Sequence, residues 1–232
     1  MAAGCKARGT MASPHFRIVI WLVAIFPVVT ARPVLARDVS AEVTIVTDYR
    51  FRGLSLSDHM PVIQGGVDVE QNGWQAQLWG STRTDGDAEG REIDLYLGRA
   101  GSVGALNYEA GARAYFIKGA PAYLEVTAQF SRPFGPVQIA VELSYAPAQA
   151  GLGDNLYRAA TLSVSPLAGL ALSGRAGIED SAACGPKSDW EVRAAFEAKP
   201  LLFSAAIVQA RGQTLNSEER APAGVFALQL GF

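Results

Sequence analysis

Long apolar runs are scarce in this sequence of 232 residues. The longest, Ile18 to Val29, has twelve residues, against the ~20 that a membrane-spanning helix needs. A polytopic helical membrane protein is therefore excluded. Cysteine and histidine are scarce too, two of each. That leaves too few ligands for a disulfide framework or a His/Cys metal centre. No Gly-x-Ser-x-Gly nucleophile turn and no phosphate-cradling Gly-Lys-Ser/Thr loop occurs. Charged residues make up 18%, below the roughly 25% of soluble domains. Disorder is excluded by the opposite measure: 49% of residues are apolar and the net charge is only −2. So much apolarity without apolar runs must be carried by alternation.

Residues 1–36 read as a secretory signal. Lys6, Arg8 and Arg17 precede the apolar run, and Val34-Leu35-Ala36 offers a cleavage site after Ala36. Translation starts at Met1 or at Met11. An uncleaved membrane anchor is the rival reading, disfavoured by the shortness of the run. Removing residues 1–36 takes away four bases and no acid, leaving 16 bases, 22 acids and a net charge of −6. That balance argues against nucleic acid as a partner. It also leaves Cys184 as the single cysteine, so no intrachain disulfide can form. An incidental thiol is the simpler reading of Cys184.

From Val39 onward the pattern has a period of two, the mark of strands with one apolar face. In Val137 to Tyr145, Val137, Ile139, Val141, Leu143 and Tyr145 share one face, and Gln138, Glu142 and Ser144 the other. Twelve such segments follow one another: 39–51, 62–71, 74–82, 92–102, 106–116, 122–131, 137–145, 157–165, 170–179, 190–199, 201–210 and 223–232. The alternation is least clear in 201–210. Most segments have the nine to eleven residues of a tilted spanning strand.

Their connections also alternate. Asn72-Gly73, 103–105, 132–136, 166–169 and Lys199-Pro200 are short; 52–61, 83–91, 146–155, 180–188 and 211–222 are longer and polar, and only 118–121 is brief among them. Short turns at one end and long loops at the other is the layout of an outer-membrane barrel. A soluble sandwich would also alternate, but with turns of mixed length at both ends. The expected fold is all-β: a transmembrane antiparallel up-and-down barrel of about 12 strands. Residues 37–232 form one barrel domain in the bacterial outer membrane, against its lipids. The chain ends with Phe226, Leu228, Leu230 and Phe232 alternating to the last residue. This ending resembles the C-terminal strand read by the bacterial barrel-assembly machinery, which makes that machinery an expected partner through Phe232.

Tyr49-Arg-Phe-Arg-Gly-Leu-Ser-Leu-Ser57, preceded by Val46-Thr-Asp48, is followed by Pro61-Val-Ile-Gln-Gly-Gly66 and by a strand from Gly73-Trp74 to Trp79-Gly-Ser81. This stretch resembles the N-terminal signature of the TorF family of porin-like proteobacterial proteins, which carry the Gcw_chp domain. The close match covers about 44–81. The resemblance implies an outer-membrane barrel and suggests a pore.

With apolar positions facing lipid, the opposite parity faces the lumen. Its acids are Glu42, Asp48, Asp68, Glu70, Glu92, Asp94, Glu109, Glu125, Glu142, Glu179, Glu191 and Glu197. Its bases are Arg50, Arg52, Arg113, Arg175, Arg193 and Lys199. Charges of this number need water or one another, because a midplane Arg or Lys in lipid costs ~2–4 kcal/mol. The expected pore lining comprises Asp48, Arg50, Arg52, Asp68, Glu70, Asp94, Glu109, Arg113, Glu125, Glu142, Arg175, Glu191, Arg193 and Glu197. The excess of acids predicts a channel for small hydrophilic solutes with a mild cation preference. A non-conducting structural or adhesion barrel is the alternative, with the charges paired across a narrow lumen. Asp48, Arg50 and Arg52 line a constriction or a rim network on these two readings. Twelve strands is an intermediate width, and loops of about ten residues can fold inward. Trp74 and Trp190 read as interface-belt aromatics, and Trp79 as inward packing.

An outer-membrane lipid hydrolase is the enzyme reading. His59 lies beside Ser55, Ser57 and Asp58, but neighbours in one loop do not fix a triad. The expectation is no enzyme, no cofactor and no metal.

Overall fold

The structure, a computed structural model, describes residues 38–82, 90–120, 122–149, 151 and 153–232. The expected signal segment lies outside these residues, as does most of the loop at 83–91. Among the described residues there is no helix. Twelve strands close into one antiparallel barrel in chain order. They are β1 (Asp38–Val46), β4 (Val62–Gln71), β5 (Trp74–Thr82), β6 (Arg91–Val103), β7 (Leu106–Ile117), β8 (Tyr123–Phe134), β9 (Val137–Ala146), β10 (Asn155–Leu167), β11 (Leu170–Ser181), β12 (Gly185–Ala198), β13 (Leu201–Gly212) and β14 (Ala223–Gly231). Two further strands, β2 (Arg50–Phe51) and β3 (Leu54–Ser55), pair only with each other. Closure is made by β1 against β14, with Glu42 opposite Gly231 and Val46 opposite Ala227. Phe232 extends that seam: its N–H donates to the Ala41 carbonyl at 2.8 Å, and its own carbonyl accepts from the Ala41 N–H at 3.3 Å. A closed ladder leaves no unpaired strand edge for lipid to meet.

Alternation sorts the two faces. On β6, Ile93, Leu95 and Leu97 are outward and about half exposed, while Glu92, Asp94 and Tyr96 are inward and buried. The outer surface is therefore an apolar band and the inner one polar. The Asn72-Gly73 turn joins Gln71 to Trp74 with both φ angles positive, +52° and +79°, as a two-residue hairpin requires. Short turns and both ends of the barrel domain lie at one rim, here the turn end. The longer connections lie at the other, the loop end.

The structure departs from the sequence reading in two places. The first strand ends at Val46, not at residue 51. Thr47 still donates its N–H to the Phe226 carbonyl at 2.9 Å; after it the chain leaves the wall, and β2–β3 forms a small hairpin inside the barrel. The physical cause is an apolar seat on the inner wall. Val46, Val62, Ala206, Val208 and Val225 face inward, and Tyr49 and Leu56 of the first loop are buried against them. Strand β13 thus carries apolar residues on both faces, which is why 201–210 has the weakest alternation.

The second departure is at 180–188, expected as a long loop. Strands β11 and β12 continue through it, with Ser181 opposite Gly185 and Glu179 opposite Lys187. Only residues 182–184 connect them. Lys187 Nζ meets Glu179 at 2.8 Å, so this charge pair is a rung of the ladder.

Candidate functional site

The first loop turns at Arg52-Gly53, both with positive φ (+48° and +83°). Gly53 is required there. A Cβ would fall 2.8 Å from Ala210 Cβ and 2.9 Å from Asp189 Cβ, closer than atoms can pack. The hairpin therefore touches the β12–β13 wall with its backbone. Asp48 braces it from within. The Arg50 guanidinium donates to Asp48 Oδ2 at 2.6 Å and to the Gly53 carbonyl at 2.9 Å. Ser55 and Ser57 donate to Asp48 Oδ1, and Ser57 Oγ accepts the Tyr49 N–H.

Arg52 reaches across the lumen. Its guanidinium donates to Glu125 of β8 at 2.7 Å and to Glu179 of β11 at 3.3 Å. It lies over the Tyr157 ring of β10, 4.0 Å from the centroid. Tyr157 itself lies flat on Gly177, where a Cβ would fall 2.2 Å from its hydroxyl oxygen. Lys187 donates to the Arg52 carbonyl at 2.8 Å. The side chains of Arg52 and Glu125 are almost wholly buried, with 3% and 2% exposed. Removing one partner of such a buried pair typically costs ~3–5 kcal/mol. Elsewhere the hairpin meets the wall through aromatic rings: Tyr49 on Trp79 at 5.5 Å and Phe51 on Tyr115 at 6.3 Å. With the seat on β13 and β14, these contacts run around most of the barrel, so the hairpin crosses the lumen near the loop end.

Beneath it is a cavity of about 500 Å³, bounded by the hairpin and by inward residues of β5 to β9, among them Trp79, Tyr96, Arg113 and Glu142. A second cavity of about 320 Å³ continues toward the turn end and is lined by Asp68, Glu70, Gln77 and Glu109. The charges divide unequally between the two regions. Bases on the inner side are paired: Arg50 with Asp48, Arg52 with Glu125 and Glu179, Arg175 with Asp189 at 3.1 Å, Lys187 with Glu179, and Arg193 with Glu191 at 2.7 Å. Arg113 lies 3.9 Å from Asp94 and donates to Gln77 at 2.8 Å. Lys199 and Glu197 pair at 3.6 Å in the exposed turn-end mouth.

Four of the acids left over have neutral partners. Glu109 accepts from the Tyr96 hydroxyl at 2.7 Å, Asp68 from Gln77 at 2.8 Å, and Glu142 from Ser144 at 3.1 Å. Glu42 accepts from Gln229. Among the described residues, none of these four forms an ion pair. The loop-end half of the lumen is thus a compensated network, and the turn-end half carries the surplus negative charge.

A family model described as bacterial protein of unknown function, Gcw_chp, matches residues 30–225. The chain belongs to the Gcw_chp family. No curated protein matches it. Among solved structures, this Gcw_chp barrel is similar to the KdgM porin: TM-score 0.61, 7% identity, 83% of this chain and 99% of that one. It is also similar to the NanC porin, with TM-score 0.56 and 9% identity over 82% of this chain and 97% of that one. A KdgM structure in complex with disordered oligogalacturonate gives TM-score 0.58 at 4% identity, over 84% and 97% of the two chains. At these identities the likeness is one of fold, a porin-type barrel.

Within the Gcw_chp barrel the sequence-named residues fall into three groups. Asp48 and Arg50, expected on the first strand, and Arg52, expected at the start of the first long loop, sit on the inserted hairpin. Glu125 faces inward but is engaged by Arg52 rather than free in the lumen. Asp68, Glu70, Asp94, Glu109, Arg113, Glu142, Arg175, Glu191, Arg193 and Glu197 face the interior from strands, as their parity implies. Lys187 and Asp189 join the interior although their segment reads as loop; adding one base and one acid leaves the excess of acids unchanged. Trp79 packs inward against Tyr49. Trp74 is on the outer face with Arg99 over its ring at 5.3 Å, and Trp190 donates its indole N–H to Gln209 at 2.8 Å. Ser55 and Ser57 donate hydrogen bonds to Asp48, and the His59 ring faces Asp48 and Arg50. These contacts shape the loop.

Proposed function

We propose that this chain is an outer-membrane channel for small hydrophilic solutes, with a mild preference for cations. The observation that carries the reading is the row of lumen carboxylates outside the ion pairs, Glu42, Asp68, Glu109 and Glu142, beside cavities in a barrel with an apolar exterior. Fixed negative charge in a narrow space attracts cations and repels anions, because few counter-ions fit there to screen it. The porin-type fold and the TorF-like signature support the same reading, and the proposed location is the outer membrane, after cleavage of residues 1–36. The KdgM structure holds an oligogalacturonate, an acidic sugar; the carboxylate surplus here disfavours such polyanions and favours neutral or positively charged solutes.

The test is single-channel recording of refolded protein under a KCl gradient, after β-rich circular dichroism and heat-modifiable migration establish the barrel. A reversal potential on the cation side is expected. Absence of conductance would support the second reading, a closed structural barrel, which the inserted hairpin favours.

A further inference from the structure

We infer that the hairpin at 48–57 is a plug held in place by one latch residue, Arg52, and that releasing this latch widens the passage. Three observations meet at this residue. Arg52 is the tip of the hairpin, and it pairs with two acids of the wall, Glu125 on β8 and Glu179 on β11. Its carbonyl is held by Lys187 of β12. The surrounding charges then balance, with Arg52, Arg175 and Lys187 against Glu125, Glu179 and Asp189. Withdrawing the guanidinium leaves Glu125, 2% exposed, with the Tyr123 hydroxyl at 3.2 Å as its hydrogen-bond donor. The buried carboxylate then demands water, and water enters where the hairpin tip was.

The hairpin is built to leave as a unit. Asp48, Arg50, Ser55 and Ser57 bond to one another and to the hairpin backbone. Its internal order therefore survives loss of the latch. What then holds it is the Lys187 bond to the residue-52 carbonyl and apolar and aromatic contact, led by the seat of Tyr49 and Leu56 on Val208 and Val225. The docking of the hairpin stands apart from transport; the widened passage rests on the channel reading.

The test separates the two. In a Cys184→Ser background, Ala206→Cys places a thiol on the inner wall beneath the hairpin, at a position with 6% exposure. A membrane-impermeant maleimide added to the refolded barrel reports docking, and single-channel conductance reports the passage. With Arg52 in place, the introduced thiol is expected to stay protected. With Arg52→Ala, labelling is expected to become fast and conductance to rise several-fold. Should that variant not refold, Arg52→Gln with Glu125→Gln removes the latch without stranding a carboxylate, and the same two readouts apply. Fast labelling without any conductance supports the latch and overturns the channel reading. Protection retained in both latch variants, or labelling already fast with Arg52 present, overturns the latch.

Discussion

Arg52 and Glu125 meet at 2.7 Å across the lumen although 73 positions separate them in the chain. One belongs to the first loop and the other to the middle of the wall. Their contact joins a segment inserted in the barrel to a strand of its wall, and the interior arrangement depends on it.

Gly53→Ala should weaken that arrangement from the backbone side. A left-handed conformation costs a residue with a Cβ about 1–2 kcal/mol, and here the Cβ would also overlap Ala210 and Asp189. Urea unfolding should show a loss of at least that size. An unchanged midpoint would mean that the turn can lift off the β13 wall without penalty.

The two faces of the wall should answer differently to one added charge. Leu95→Arg, on the outward face, should destabilise the barrel in bilayers by ~2–4 kcal/mol. Thr127→Arg, which lines the central cavity, should leave stability within about 1 kcal/mol and move selectivity toward anions. Folding titrations in vesicles and reversal potentials measure the two effects; equal destabilisation would contradict the inside–outside assignment.

Selectivity should follow the carboxylates outside the ion pairs. Glu109→Gln with Glu142→Gln should bring the cation preference toward unity. Arg193→Gln with Glu191→Gln, which removes an ion pair and leaves the net charge of the lumen as it was, should leave it nearly unchanged. Reversal potentials in a KCl gradient decide, and a larger effect from the neutralised pair than from Glu109 and Glu142 would show that net lumen charge does not set the preference.

Deleting Phe232 removes both backbone hydrogen bonds that it exchanges with Ala41. Its ring is exposed at the end of the seam. The level of barrel in outer-membrane fractions should fall sharply, while the conductance of the molecules that do assemble stays the same. Full surface levels would deny Phe232 a part in assembly.

The barrel is legible in the sequence because one physical rule, apolar outward and polar inward, acts on every strand. Strand count, the Asn72-Gly73 turn and the inward parity of residues such as Asp94 and Glu142 all follow from it. The hairpin is not legible as a hairpin. Tyr49-Arg50-Phe51-Arg52 alternates as well as any strand, and the partners that draw it inward, Val208 and Val225, lie at the far end of the chain. A sign is present in β13, whose second apolar face has no purpose in a water-lined lumen. Lys187 and Asp189 are hidden for the opposite reason: Cys184-Gly185-Pro186 reads as loop, although strand pairing resumes at Gly185.

The seat of the hairpin on β13 and β14 has a consequence for the order of events in biogenesis. Val208 and Val225, on which Tyr49 and Leu56 rest, belong to the last two strands of the barrel, and β14 is also the strand that closes on β1. Val46, Val62 and Trp79 offer the first loop part of its seat, but Ala206, Val208 and Val225 complete it only once β13 and β14 are in place. Full docking of the hairpin is thereby tied to closure of the wall, and a barrel that has not closed has nowhere to seat it completely.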